Sequence, residues 1–252
     1  MIKSENASKE WIEAITKSTK AKDKILVEKV VRALMLLEGL AKSNLDFVFK
    51  GGTALMLLFR SSKRLSIDID IIVPEKEAKF DSILDEICKE YGFTRFEEHP
   101  RKAKAKIDKV HYKLYFHSVI EEKESYVLLD ILKEKINYQN VVEVPIDSLF
   151  VKLDGTATQV RVPDFNNILG DKLTAFAPNT TGIPYKKGEK EMGMEIIKQM
   201  YDIGCLCDHA DNAEIVSSVF SSFAETEIQY RENICTVSDV LDDIIDNSLE
   251  IC

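Results

Sequence analysis

The chain has 252 residues, 45% of them apolar and 31% charged, and a formal net charge of −9 at pH 7. At roughly 100–200 residues per domain it fits one large domain or two modest ones, and its negative balance excludes a protein that coats nucleic acid by bulk electrostatics while leaving room for a local basic groove. No apolar run nears the ~20 residues of a membrane span, and the start, MIKSENASKEWIEAITKS, lacks a signal-peptide core, so a cytoplasmic protein with no membrane partner is expected.

Helical periodicity runs from about Lys9 to Leu40, with Gly39 as its stop signal. DFVFK predicts a short strand that ends at Gly51-Gly52, and TALMLLFRSS predicts a helix with Thr53 near its N-terminus. LSIDIDIIVP alternates and closes on a proline, the pattern of a strand. KEAKFDSILDEICKEYG predicts an amphipathic helix closed by Gly92. The period then drops to two, and FTRFEEH, KVHYKLYFHSV and SYVLLDILK read as strands. In the second of these Val110, Tyr112, Leu114 and Phe116 share one face and His111, Lys113, Tyr115 and His117 the other. VVEVPI and TQVRVPD are shorter candidates whose prolines are typical of edge strands.

From Asn166 onward the chain reads as helical, in NNILGDKLTAFAPN, MEIIKQMYDIGCLCDHA, AEIVSSVFSSFAETEIQYREN and VSDVLDDIIDNSLE. The loop over 177–193 is either a mobile lid or a decorated connection. The expected class is α+β: a mixed sheet with flanking helices over 1–165, then a helical domain over 166–252. The five cysteines are odd in number and irregularly spaced, which argues against a disulfide framework. Cys205 and Cys207 sit two apart in a helical stretch, point to different faces, and read as free thiols.

The chemistry concentrates between residues 50 and 70. A strand that ends in two glycines and opens a helix presents backbone N–H groups at the positive end of the helix dipole, and without Cβ a phosphate can come close. Gly51, Gly52 and Thr53 form this candidate phosphate turn, with Lys50 beside it; a plain tight turn is the competing reading. Downstream, Ser66, Asp68 and Asp70 alternate with isoleucines and point one way. Two carboxylates about 6.5 Å apart along a strand, at ~3.3 Å per residue, repel unless a cation lies between them. That spacing suits bridging divalent ions; a solvated strand edge is the alternative. Asp130 ends the apolar run SYVLLD, an expensive place for a charge without a partner, and is the candidate third carboxylate.

Together, KGGTALMLLF, the R-x-S-x-D-x-D of RLSIDID, DKLTA and a later helical Asp resemble the AbiEii/AbiGii-type toxins of the nucleotidyltransferase superfamily, which has a DNA-polymerase-β-like fold. The resemblance spans about residues 45 to 210 and is densest over 50–70. It implies an NTP substrate, Mg2+, and transfer of a nucleotide to an acceptor. An RNA such as tRNA is the expected acceptor, since some members act on tRNA, and a cognate antitoxin is the expected partner. Residue by residue, it implies phosphate binding at Gly51, Gly52 and Thr53 and metal binding at Ser66, Asp68 and Asp70. It also implies that Lys172 holds the triphosphate and that Asp202 is the later helical Asp. Read alone, Lys172 lies near a helix N-terminus behind Asn167, and Asp202, four residues after Lys198, could form a surface ion pair. Two positions depart from the family pattern: Tyr201 stands where a basic residue is expected, and Gly52-Thr53 replaces Gly-Ser. The basic run Arg101–Lys113 either tracks RNA phosphates or is a solvated strand flank. The competing functions are a small-molecule nucleotidyltransferase of the antibiotic-modifying kind and a catalytically silent nucleotide- or partner-binding module.

Overall fold

The computed structural model describes residues 1–60, 64–74, 80–99, 109–231 and 235–251. These form two compact units, one drawn from the described residues within 1–99, 109–136 and 142–162, the other from those within 137–141 and from Pro163 onward.

In the first unit the long helical stretch divides in two. Helix α1 (Lys9–Thr19) starts on Ser8, whose hydroxyl accepts from Trp11 N–H, and ends where Lys20 turns left-handed at φ 55°. Helix α2 (Lys24–Lys42) starts on Asp23, whose carboxylate accepts from the N–H groups of Ile25 and Leu26. Gly39 does not stop this helix. It lies inside it, where a Cβ would stand 2.8 Å from Ile87 Cγ1, so glycine there lets α2 approach helix α4 (Phe80–Tyr91). Leu34, Leu36, Leu37 and Leu40 of α2 are fully buried and form the centre of this unit's core.

The sheet has five strands in the order β1-β2-β5-β4-β3. They are β1 (Val48–Lys50), β2 (Ile69–Ile72), β3 (Arg95–Glu98), β4 (Lys109–His117) and β5 (Glu124–Leu132). The β2–β5 pair is parallel and the others are antiparallel, which gives the mixed sheet of the expected α+β class. Helix α3 (Gly51–Leu58) follows β1 with no intervening residue. This explains why β2 is shorter than the alternating run LSIDIDIIVP predicts. Its partner β1 turns into α3 at Gly51, directly after the Lys50↔Asp70 pair, so Ser66–Asp68 have no β1 residues to pair with. A smaller two-stranded sheet joins β6 (Val141–Pro145) and β7 (Gln159–Pro163).

The second unit is helical: α5 (Phe165–Ala175), α6 (Gly193–Cys207), α7 (Ala213–Tyr230) and α8 (Val237–Ile251) surround Phe176, Ile196, Phe220, Ile228, Val240 and Ile244. The 177–193 loop carries a short hairpin of β8 (Lys186–Lys187) and β9 (Lys190–Glu191) turning at Gly188, φ 64°. Its base is anchored to α8, where the Asp243 carboxylate accepts from Asn179 N–H, the Asn179 amide and the Thr180 hydroxyl at 2.8–2.9 Å.

Candidate active site

Strand register assembles a polar row across the sheet. Lys50 lies opposite Asp70, Asp70 beside Asp130, and Asp130 opposite His111. Register partners share a face, so these four side chains stand on one side of the sheet. Ile69, Ile71, Leu129 and Ile131, which alternate with them, are buried to within 1% on the other. A period-two alternation in β2 and β5 thus separates a core face from a polar one.

The diglycine turn closes onto this row. Gly51 has φ 80°, a left-handed value that disfavours a side chain, and a Cβ there would fall 2.1 Å from Asp70 Oδ2. A Cβ on Gly52 would fall 2.8 Å from both Arg64 Nη1 and Ser66 Oγ. The two glycines therefore hold the start of α3 against the Asp70 carboxylate, the Ser66 hydroxyl and the Arg64 guanidinium. The residue at the N-cap, Lys50, makes no side-chain capping hydrogen bond to that helix start. Thr53 is fully buried and its hydroxyl donates to the Asp68 carbonyl at 2.8 Å, tying the turn to the chain entering β2.

Asp130 does not sit at a strand end: β5 continues through Ile131 and Leu132, which pair with Ile71 and Ile72. His111 Nδ1 lies 2.6 Å from Asp130 Oδ1. Among the described residues no three His, Cys, Asp or Glu side chains converge tightly enough to hold an ion as they stand. The acids of the row still fit a divalent cation by their chemistry. Asp70 and Asp130 are adjacent hard oxygen donors on one face, Asp68 precedes them, and the space above Gly51 that a Cβ would fill holds the Asp70 carboxylate.

In the helical unit, Lys172 and Asp202 meet. Lys172 Nζ donates to Asp202 Oδ2 and to Gln199 Oε1, both at 2.9 Å. The two charged side chains are 11% and 4% exposed, so this is a buried ion pair. Two expectations are corrected here. Lys172 lies in the last turn of α5, because that helix begins at Phe165 on the Asp164 cap, and Asp202 is a buried partner of Lys172, not a surface partner of Lys198. Sequence reasoning missed Gln199 and His111. Gln199 stands three residues before Asp202, a spacing that shares a helix face; His111 becomes visible only through the β4–β5 register. Of the basic run, residues 101–108 lie outside the described residues; Lys109 and Lys113 lie on β4, where the Lys113 ammonium sits 4.7 Å from the Tyr126 ring centroid.

A mixed sheet bearing a helix-opening diglycine turn against strand aspartates defines the nucleotidyltransferase class. The chain matches the family model described as nucleotidyl transferase AbiEii toxin, type IV TA system, over residues 35–249, and it belongs to that family. It is accordingly a nucleotidyltransferase of the toxin type. In fold it is similar to the nucleotidyltransferase toxin MenT4 from Mycobacterium tuberculosis (TM-score 0.54, 13% identity, 86% of this chain and 71% of that one). Two other solved structures align with TM-scores below 0.5 and add nothing to the assignment. They are JHP933 from Helicobacter pylori (0.46, 16% identity, 88% and 89% of the chains) and the antibiotic-resistance factor ANT(2'')-Ia (0.44, 15% identity, 83% and 95%). Among curated proteins, no sequence matches the chain. No helix among the described residues is long and apolar enough to cross a membrane.

Proposed function

We propose that the chain transfers a nucleotide from an NTP to an RNA acceptor, tRNA foremost, in a Mg2+-dependent reaction in the cytoplasm, as the toxin partner of a cognate antitoxin. The observation that carries this reading is the contact of Gly51 with Asp70, with a Cβ-to-Oδ2 distance of 2.1 Å for any larger residue. It joins a phosphate-binding turn and a carboxylate row into one site.

Asp68 and Asp70, with Asp130, would hold the cation, which supplies charge neutralisation at the phosphoryl oxygens and a lowered pKa for the attacking hydroxyl. The chain's own groups do the positioning. The N–H groups opening α3 at Gly51, Gly52 and Thr53 donate to phosphate oxygens at the positive end of the helix dipole. The Ser66 hydroxyl, beside Gly52, adds a donor to the same turn. Family resemblance assigns Lys172 to the triphosphate and Asp202 to orienting the acceptor or the nucleotide; within the helical unit the hydrogen bonds to Asp202 and Gln199 fix the Lys172 side chain. The family's description as the toxin of a type IV toxin–antitoxin system supports the antitoxin; the RNA acceptor rests on the resemblance to toxins of which some act on tRNA.

The test is incubation of the purified protein with each α-labelled NTP, Mg2+ and total RNA. Label entering small RNA with wild type, and none with Asp68→Asn, is the expected result. Label appearing only on small-molecule acceptors such as aminoglycosides, or no label on RNA with any NTP from a folded, nucleotide-binding protein, would overturn the RNA assignment.

A further inference from the structure

The acid beside Asp70 is held from its far side by a residue that the proposed reaction does not use. Asp130 sits mid-strand on the polar face of the sheet, its side chain 27% exposed, while Leu129 and Ile131 on either side of it point to the core. A half-buried carboxylate beside a second acid, Asp70, is steadied by a hydrogen-bond donor. Among the described residues its hydrogen-bond partner is His111, directly across the β4–β5 ladder, with Nδ1 and Oδ1 2.6 Å apart. A carboxylate only accepts, so the Nδ1 facing it carries the proton and donates. The imidazole is itself held in place, with the residue only 8% exposed and His111 paired within the longest ladder of the sheet.

We propose that His111 is a positioning residue for the metal-binding carboxylate row. Its Nδ1–H fixes Asp130 by Oδ1, which leaves Oδ2 as the oxygen available to the divalent cation. This rests on the metal reading given above. A carboxylate on a strand has a two-fold rotor at its tip and, unrestrained, would divide its time between orientations. Locking one oxygen removes that freedom before the ion arrives, as the outer partners of metal ligands commonly do. The row Lys50–Asp70–Asp130–His111 then has a hydrogen-bonded terminus at its β4 end and the diglycine turn near its β1 end, with the acids between.

The test uses the full chain as wild type, Asp70→Asn, His111→Asn, His111→Leu, Asp130→Asn and the double variant His111→Leu/Asp130→Asn. Each is titrated with Mn2+ by calorimetry, assayed for kcat and for the KM of the NTP, and melted thermally. Asn places an amide N–H where the Nδ1–H stands and keeps the donor; Leu removes it. His111→Asn is expected to stay within ~3-fold of wild type, whereas His111→Leu weakens Mn2+ binding and lowers kcat by ~10–100-fold with the NTP KM little changed. The double variant is expected to be no worse than Asp130→Asn alone, because both changes remove one interaction. Should His111→Leu not fold, His111→Gln, whose amide reaches one bond too far, replaces it with the same expectation.

Unchanged Mn2+ affinity and kcat in His111→Leu would overturn the proposal, as would tighter Mn2+ binding, which would mean that His111 holds Asp130 away from the ion. Equal losses in His111→Asn and His111→Leu would also overturn it. Mn2+ binding that Asp70→Asn leaves untouched would instead sink the metal reading and this inference together. Binding lost in Asp70→Asn but unaltered in His111→Leu removes the role of His111 alone.

Discussion

Two sets of carboxylates in the sheet unit live in opposite surroundings. Glu28 and Glu38, both on α2, are 1% and 0% exposed and saturated with donors. Glu28 accepts from the Ser118 hydroxyl at 2.6 Å and Val119 N–H at 2.8 Å. Glu38 accepts from Ile2 N–H, the Tyr91 hydroxyl and the Thr158 hydroxyl. It thereby ties the N-terminus, α4 and the chain leading into β7 to one helix. Burial and the Glu38 charge together drive the Tyr91 phenol well above its usual range, so it remains a donor at any working pH. Asp68, Asp70 and Asp130 are only half-buried, in a setting that includes the diglycine turn, the Ser66 hydroxyl, Lys50, Arg64 and His111. The two α2 acids are enclosed and hold the fold together; the acids proposed to bind a cation keep an open side.

That contrast can be broken by substitution. Asp70→Asn should leave the melting temperature within a few degrees of wild type and reduce transfer by about 10³-fold, since several kcal/mol of charge stabilisation is lost at ~1.4 kcal/mol per decade. Glu38→Ala should do the reverse: stranding its buried donors should cost about 3–5 kcal/mol in chemical denaturation, while the folded fraction keeps its specific activity. If the two profiles were alike, the division into structural and reactive acids would fail.

The helical unit sharpens the same comparison, because Lys172–Asp202 is a buried pair whose lysine is proposed to bind the triphosphate. Lys172→Met should destabilise by about 3–5 kcal/mol by removing the cation paired with the buried Asp202 carboxylate. Lys172→Met/Asp202→Leu should recover most of that stability without recovering transfer, which denaturation curves and the labelling assay would separate. Gly39→Ala is the mildest expected change. Its methyl meets Ile87 at 2.8 Å, so overpacking of α2 on α4 should cost about 1–3 kcal/mol with turnover per folded molecule unchanged.

Local pattern carried much of this into view before any fold was known. The alternation separates Asp70 from the core positions Ile69 and Ile71 by arithmetic alone, and the glycine pair marks the turn. What stayed hidden depends on partners distant in sequence. The length of β2 is set by where β1 ends, a property of residue 50 and not of residues 65–74. Gly39 looks like a stop signal until Ile87, 48 residues away, is seen against it. The partners of Asp130 and Asp202 lie 19 and 30 residues away and arrive through strand register and helix packing, which a single periodicity cannot encode.

The most direct test is diffraction from crystals grown with Mn2+ and a non-hydrolysable NTP. The account predicts an anomalous peak coordinated by Asp68 and Asp70, with the nucleotide's phosphates on the N–H groups of Gly51 and Gly52. A metal and triphosphate bound elsewhere, with those aspartates facing only solvent, would contradict it.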